Sequence, residues 1–270
     1  LSRVASISKQ LNRFFKLYLP AICAGDLGSD RPRFDLFGSK ESKRRPVVVV
    51  YAGGDDLFVV GAWNQVLELA KDLHDAFASY THDTLTFSAG VHLFPEKFPV
   101  AQMAILAGKL EEAAKQHKTD TKAKDSIALF GDMSSHCYFW EELDAVVKIL
   151  RETFLPYLKQ ENGRLVPKSV DHADQVPIVE TAWLYRFLAL LDNPDNPDNP
   201  DEINLARLSY LIARSRRPDD EKLNERLSKL RDWAICPAQR KALRTSITWL
   251  VYLLREDQGQ SWSKLSSQEH

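Results

Sequence analysis

The tetrapeptide Gly53-Gly54-Asp55-Asp56 constrains this chain more than any other feature. It lies between two apolar runs, Val47-Val48-Val49-Val50-Tyr51 and Leu57-Phe58-Val59-Val60. Runs of this length and β-branched content read as buried strands. So short a connection between them makes a hairpin. Two adjacent carboxylates at a hairpin tip repel each other, and turn chemistry alone accepts Asn or Ser equally well. A divalent cation removes the repulsion, because Mg2+ and Mn2+ take hard oxygen ligands, usually one or two carboxylates with phosphate oxygens and water. Neighbouring glycines let a triphosphate reach the backbone with no Cβ in the way. Asp55 and Asp56 are therefore the candidate catalytic and metal-binding pair, and Gly53 and Gly54 are candidate nucleotide contacts. In a two-metal site one ion activates a hydroxyl and the other steadies the departing pyrophosphate. The competing reading is a plain turn with solvated carboxylates. The apolar flanks and the place of the hairpin in the element order weigh against it.

That order is read from periodicity. Val4, Ile7, Leu11, Phe14, Phe15 and Tyr18 fall at helical spacing over residues 2–19, and Pro20 is expected to stop the helix. Residues 20–46 read as a long loop ending in the basic run Lys43-Arg44-Arg45. After the hairpin come a helix over 64–80, a strand from Thr84 to Leu93, a helix beginning at Pro99 and a short strand from Ser126 to Phe130. A ferredoxin-like sheet runs strand-helix-strand-strand-helix-strand. The chain matches it if one strand before Leu1 is missing, and then adds a helix and a strand. Beyond residue 137 strand signals give way to helical patterns over 139–160, 177–192, 202–215, 219–234 and 237–256. The expected architecture is α+β: a ferredoxin-like palm lacking its first strand over 1–137, an all-α helical bundle over 138–257, and a flexible polar tail over 258–270. The chain opens on Leu1 within a helix, so it reads as a fragment of a longer protein. The triple Asn-Pro-Asp repeat from Asn193 to Asp201 reads as a turn-rich loop and lacks the ligand spacing of a calcium loop.

A net charge of −1 gives no global attraction to nucleic acid, so any basic surface is local. Residues 203–255 hold 12 Lys/Arg against 5 Asp/Glu, with Arg214, Arg216 and Arg217 clustered. Such a face suits RNA phosphates, an acidic partner, or plain solvation. No apolar run approaches the roughly 18 residues of a membrane span, so no membrane partner is expected. Cys23, Cys137 and Cys236 are widely separated, which excludes a CxxC or zinc-knuckle spacing and suits three buried free thiols in a reducing cytoplasm. Trp63, Trp140, Trp183, Trp233 and Trp249 lie within or next to apolar helical patterns, which favours core packing over base stacking.

Several segments resemble one family. Tyr51-Ala-Gly-Gly-Asp-Asp-Leu-Phe-Val-Val-Gly-Ala-Trp63 resembles the second palm domain of the large subunit of type III CRISPR effector complexes. Ser2-Arg-Val-Ala-Ser-Ile-Ser-Lys-Gln-Leu-Asn-Arg-Phe-Phe15 is similar to that family's helix after its first palm strand. Leu85-Thr-Phe-Ser-Ala-Gly90 and Lys124-Asp-Ser-Ile-Ala-Leu-Phe130 also fit. Leu205-Ala-Arg-Leu-Ser-Tyr-Leu-Ile-Ala-Arg214 is similar to its C-terminal helical domain, and the pattern is nearest the Csm-type branches, III-A or III-D. The resemblance implies a prokaryotic cytoplasmic protein that makes cyclic oligoadenylate from ATP with Mg2+ or Mn2+. It also implies other subunits of the ribonucleoprotein complex and guide and target RNA as partners. It places Ser8 against the nucleotide base and makes Lys124 a candidate phosphate contact; Lys109 and Lys115 are candidate phosphate contacts at spacings that resemble the phosphate-binding lysines of diguanylate cyclases. A further metal-binding aspartate is expected on the missing first strand, so the chain alone is not expected to be active. Two alternatives stand beside this reading. One is a diguanylate-cyclase-like signalling domain, from whose usual acidic-Glu-Phe sequence Asp56-Leu57 departs. The other is a non-catalytic scaffold that holds RNA or neighbouring subunits.

Overall fold

A computed structural model of the chain describes residues 2–26, 33–36, 44–54, 56–95, 97–130, 136–161, 164–168, 177–192 and 203–255. The chain divides into two units, Leu1–Glu141 and Glu142–His270. In the first, strands β1 (Val47–Gly53) and β2 (Asp56–Gly61) pair antiparallel, from Val47 opposite Gly61 to Gly53 opposite Asp56, with a bulge after Val49. Helix α3 (Trp63–Thr81) follows at once. Its Leu69, Leu73 and Phe77 recur every fourth residue and so share one face. They form a core with Phe14, Phe15, Leu19 and Ile22, against which Leu57 and Val59 of β2 pack.

The aromatic and aliphatic residues of that core come from a helical segment that does not stop at Pro20. Helix α1 (Ser2–Arg13) passes into a π-helical turn, Phe14–Tyr18, and then into α2 (Leu19–Ala24). Proline breaks a helix by losing an N–H and by clashing with the carbonyl four residues back. The π turn widens the backbone just before Pro20, and Pro20 then occupies the start of α2, where no N–H bond is required.

Strand β3 (Ala89–Val91) pairs parallel with β4 (Ser126–Leu129), the crossover being α4 (Val100–Gln116). Gly90 has a packing reason: a Cβ there would stand 2.4 Å from the Glu111 nitrogen and 2.5 Å from the Ala107 oxygen. Only a bare Cα lets α4 lie so close to the strand. Strand β5 (His136–Phe139) pairs antiparallel with β4 and was not expected from the sequence. Among the described residues the sheet is in two pieces, β1-β2 and β3-β4-β5. Helix α3 packs against both β2 and β3. In ferredoxin-like order the expected first strand lies between those two.

The expectation that Val47–Tyr51 forms a buried strand is corrected. Val48 is 64% exposed and Tyr51 55%. The apolar sequence suits cover on both faces, but the described helices cover only the Leu57–Val59 face.

The described part of the 20–46 segment is anchored rather than loose. Arg45 is fully buried and forms ion pairs with both Glu68 and Asp72 of α3. Its guanidinium also donates to the Phe34 carbonyl at 2.7 Å. The same two carboxylates accept backbone N–H groups, Asp72 from Phe34 at 2.7 Å and Glu68 from Leu36 at 2.9 Å.

The second unit begins with α5 (Glu142–Ile149), a π turn (Leu150–Phe154) and a short hairpin of β6 (Leu158–Glu161) and β7 (Arg164–Pro167). The helix expected over 139–160 is therefore only half present. Pro156 and the pairing of Lys159 with Val166 divert the chain into the hairpin. Helices α6 (Thr181–Asp192), α7 (Leu205–Ser215), α8 (Glu221–Ile235) and α9 (Pro237–Arg255) complete the unit. Helix α9 is central, burying Leu243, Ile247 and Leu250 and packing on α5, α6 and α8. Two buried polar contacts tie its helices together: Ser246 donates to the Val146 carbonyl at 2.7 Å and the Trp183 indole to Ser215 at 2.8 Å. The Asn-Pro-Asp repeat of residues 193–201 and the tail of residues 258–270 lie outside the described residues. The three cysteines are free and half-buried rather than fully buried. Trp63, Trp140, Trp183 and Trp249 are buried in the core.

Candidate metal and nucleotide site

The hairpin turn has the backbone its sequence requires. Gly54 adopts φ +66°, and a Cβ there would meet nothing within 4 Å. The glycine thus serves the left-handed conformation and not a crowded contact. Gly53 faces Asp56 across the last rung of the ladder. Asp56 is exposed, and among the described residues its carboxylate has no hydrogen-bond or ion-pair partner. Asp55 lies outside the described residues. No group of three or more His, Cys, Asp or Glu suited to a metal occurs among the described residues. A hard divalent cation nevertheless fits what is present: an unpartnered carboxylate oxygen beside a glycine turn open enough for phosphate and water. The described residues bring one such ligand to it.

Strand alternation fixes the faces of the hairpin. Leu57 and Val59 point into the core, so Asp56, Phe58 and Val60, with their partners Gly53, Tyr51 and Val48, share the opposite face. The Tyr51 ring runs along that face toward the tip. An ideal Cβ on Gly53 would lie 3.0 Å from the Tyr51 hydroxyl.

Lys109 and Lys115 do not converge. Lys109 and Lys115 are both exposed on α4, but six residues apart they diverge by about 120° around the helix. Lys115 is bonded to Glu111 at 2.6 Å. Lys124 is exposed with φ +62°, and its backbone nitrogen donates to the His117 carbonyl at 2.9 Å. The neighbouring Asp125, also at positive φ, approaches the His74 ring nitrogen at 3.2 Å and accepts from the Phe87 N–H at 3.4 Å. His74 stacks on Trp140 at 4.6 Å, whose indole donates to the Phe87 carbonyl at 2.7 Å. Lys122 bridges Asp125 and Glu141. Desolvation opposes the charge on Lys122, but those two carboxylates outweigh it and hold its pKa above the ordinary lysine value. This network buttresses the Lys124 turn and left no sequence signal, because its members are drawn from positions as far apart as His74 and Trp140.

Ser8 is exposed on α1 and lines a shallow open trough with Ala5, Lys9, Asn12, Arg13, Lys16 and Leu17. That spacing is one stripe of a helical segment, mixed in character, with basic side chains beside an apolar surface. In the second unit Arg214 donates to the Tyr210 hydroxyl at 3.2 Å and Arg216 to Ser228 at 3.0 Å. Arg217 is held through its backbone, its N–H donating to Asn224 at 3.1 Å. Among the described residues Arg214 and Arg216 are thus bonded to hydroxyls at the end of α7.

The first unit is a palm with a Gly-Gly-Asp-Asp hairpin, and the second is helical. Residues 1–128 match the family described as Cas10/Cmr2, second palm domain. Residues 178–256 match that described as CRISPR RNA silencing complex Cmr2 subunit, second helical domain. The chain belongs to the Cas10/Cmr2 family of type III CRISPR large subunits, of which it carries a palm and a helical domain. It is 34% identical over 257 residues to a CRISPR system single-strand-specific deoxyribonuclease Cas10/Csm1 (subtype III-A) from Enterococcus italicus, covering 95% of this chain and 27% of that protein. A crystal structure of a Csm1-Csm4 cassette in complex with one ATP matches with TM-score 0.61 and 25% identity, over 92% of this chain and 32% of that one. A Csm1-Csm4 cassette in complex with cA4 matches with TM-score 0.61 and 26% identity, over 92% of this chain and 33% of that one. The chain thus spans between a quarter and a third of the length of these relatives.

Proposed function

We propose that this chain provides the nucleotide-polymerising palm of a type III CRISPR large subunit, making cyclic oligoadenylate from ATP in antiviral defence. The observation that carries the reading is the Gly53–Asp56 tip: a left-handed glycine beside an exposed carboxylate that has no partner among the described residues, on the hairpin face turned away from the Leu57 and Val59 core. The ATP and cA4 complexes of similar Csm1-Csm4 cassettes support the choice of nucleotide.

In the proposed chemistry a ribose 3′ oxygen attacks the α-phosphorus of ATP. The new P–O bond forms as the bond to the pyrophosphate oxygen breaks, and the hydroxyl proton goes to solvent. Bound Mg2+ or Mn2+ would acidify the hydroxyl and neutralise the leaving group. Asp56, with Asp55, would hold the cation, and the glycine turn would admit the triphosphate. Catalysis then rests on positioning and charge, as in phosphoryl transfer generally. Lys109 and Lys124 would be offered to phosphate, Lys124 from a turn held at positive φ. Lys115 is already paired with Glu111. Ser8 would face the base from α1. The interrupted sheet between β2 and β3 leaves the place of a further metal-bearing strand unfilled among the described residues. The isolated chain is therefore expected to be a scaffold rather than a working enzyme. In the complex its partners would be neighbouring subunits and guide and target RNA, with Arg214, Arg216 and Arg217 offered to phosphates or to an acidic subunit surface, in the prokaryotic cytoplasm.

The test is oligoadenylate synthesis by the complete effector complex carrying Asp55→Ala or Asp56→Ala. Both should abolish product while target RNA still binds. Undiminished synthesis would remove the assignment, and turnover of ATP by the isolated chain would remove the scaffold reading.

A further inference from the structure

We infer that Tyr51 is a nucleotide-contacting residue whose phenol hydroxyl donates a hydrogen bond to the triphosphate bound at the hairpin tip, an inference that rests on the nucleotidyltransferase reading above.

Tyr51 and Gly53 are two residues apart on β1, so they share a face, and the pairing of Gly53 with Asp56 puts Asp56 on it too. Directly opposed residues in an antiparallel pair hold their Cβ positions about 4.5–5.5 Å apart. The Tyr51 hydroxyl lies over Gly53, 3.0 Å from where its Cβ would stand. The phenol is thus carried about 7 Å along the strand toward the turn, by two residues of strand rise. There it sits beside the Asp56 side chain, yet no hydrogen bond joins the two. A donor and a charged acceptor therefore stand next to each other on one open face, and among the described residues neither is used. An anion held by a cation on the Asp56 carboxylate would bring its oxygens to this donor.

The geometry also separates the hydroxyl from the ring. The oxygen points to the tip while the ring body lies back over the ladder opposite Phe58. The phosphate end of the nucleotide is what belongs at the tip, so the contact is a hydrogen bond to a charged oxygen and not a base stack. Gly53 gains a second role. Any side chain there displaces the phenol, so the first glycine of the motif keeps the hydroxyl in place while the second makes the turn.

The experiment uses the complete effector complex with Tyr51→Phe, Gly53→Ala and Asp56→Ala. Equilibrium binding of ATP with Mg2+ and of adenosine is measured beside the kinetics of oligoadenylate synthesis. Tyr51→Phe keeps the ring and the hairpin packing, so its Tm should match the parent. Loss of one hydrogen bond to a charged group corresponds to about tenfold or more in affinity. ATP binding should weaken by about that factor, adenosine binding should not change, and KM for ATP should rise with kcat little altered. Gly53→Ala should reproduce the ATP loss by moving the phenol. Unchanged ATP affinity in Tyr51→Phe, or equal loss of ATP and adenosine, overturns the inference. Asp56→Ala separates the two levels: full synthesis in that variant refutes the nucleotidyltransferase reading itself. Loss of synthesis there with unaffected Tyr51→Phe refutes only the role of Tyr51.

Discussion

Arg45→Met tests the anchoring of the segment before the hairpin. Arg45 is 1% exposed, and Glu68 and Asp72 are each 4% exposed. The arginine pairs with both carboxylates and with the Phe34 carbonyl, so a methionine of similar reach removes the cation and leaves two buried anions. Breaking a buried pair by deleting one partner costs about 3–5 kcal/mol, because the remaining charge is uncompensated. The Phe34 and Leu36 N–H groups still serve the carboxylates and keep the cost from rising further. Burial, opposed by Arg45 and those N–H groups, raises the pKa of both Glu68 and Asp72 above ordinary carboxylate values. A folded-state pKa above the unfolded value means the folded form binds protons more tightly. These two groups therefore cost stability as pH rises from the unfolded value through the folded one, and the cost disappears on acidification. Removing Arg45 raises both values further and widens that window. Urea unfolding of parent and variant, with amide exchange in α3 to localise the effect, should show a deficit of about 3–5 kcal/mol near neutral pH. The deficit should shrink on acidification as the carboxylates protonate. A deficit under about 1 kcal/mol, the value of an exposed pair, would refute the burial argument. A deficit that holds constant or grows on acidification would refute the assignment to these carboxylates.

Other perturbations follow from single contacts. Gly90→Ala forces a Cβ to 2.4 Å from the α4 backbone and should destabilise the first unit by about 1–3 kcal/mol or more, read as a lower unfolding midpoint. Gly54→Ala meets no neighbour, so its cost should be only the left-handed backbone, about 1–2 kcal/mol. Gly54→Asn should cost less, and equal losses for both would contradict a conformational origin. Trp183→Phe loses the buried bond to Ser215 at 2.8 Å and should cost about 1–3 kcal/mol. A paired Ser215→Ala should recover part of that, and strictly additive losses would argue against the bond.

The parts of the fold that were legible were those whose cause is local. The hairpin, α3, α4 and the four C-terminal helices follow from periodicity and from glycine or proline at their ends. The Gly-Gly-Asp-Asp turn was legible because strand, turn and carboxylates are contiguous. What escaped was set by distant partners. In sequence Arg45 is the last residue of a basic run that closes a long loop. Its place in the core is decided by Glu68 and Asp72, 23 and 27 residues away. Strands β5, β6 and β7 are four residues each and owe their existence to pairing, with no strand period long enough to see. The helix through Pro20 rests on a π turn, which hydrophobic spacing does not encode.

The exposure of β1 carries the most information, because there the sequence and the described structure differ in kind. A run of Val48, Val49, Val50 and Tyr51 encodes burial, yet each of these is more than a third exposed. The β2 strand beside it keeps Leu57 and Val59 in the core while Phe58 and Val60 face away from it. The most exposed of the β1 residues, Val48 and Tyr51, lie on the face that also carries Asp56, whereas Val49 stands opposite core-facing Val59. Apolar strand residues persist on a solvated face only at a cost in solubility and aggregation. A site for ATP requires a water-poor surface around a few polar groups. Valines flanking an unpartnered carboxylate and phenol supply that combination. The apolar character of β1 is then better explained by the chemistry proposed at its tip than by the packing of the palm, whose core lies on the other side of the sheet.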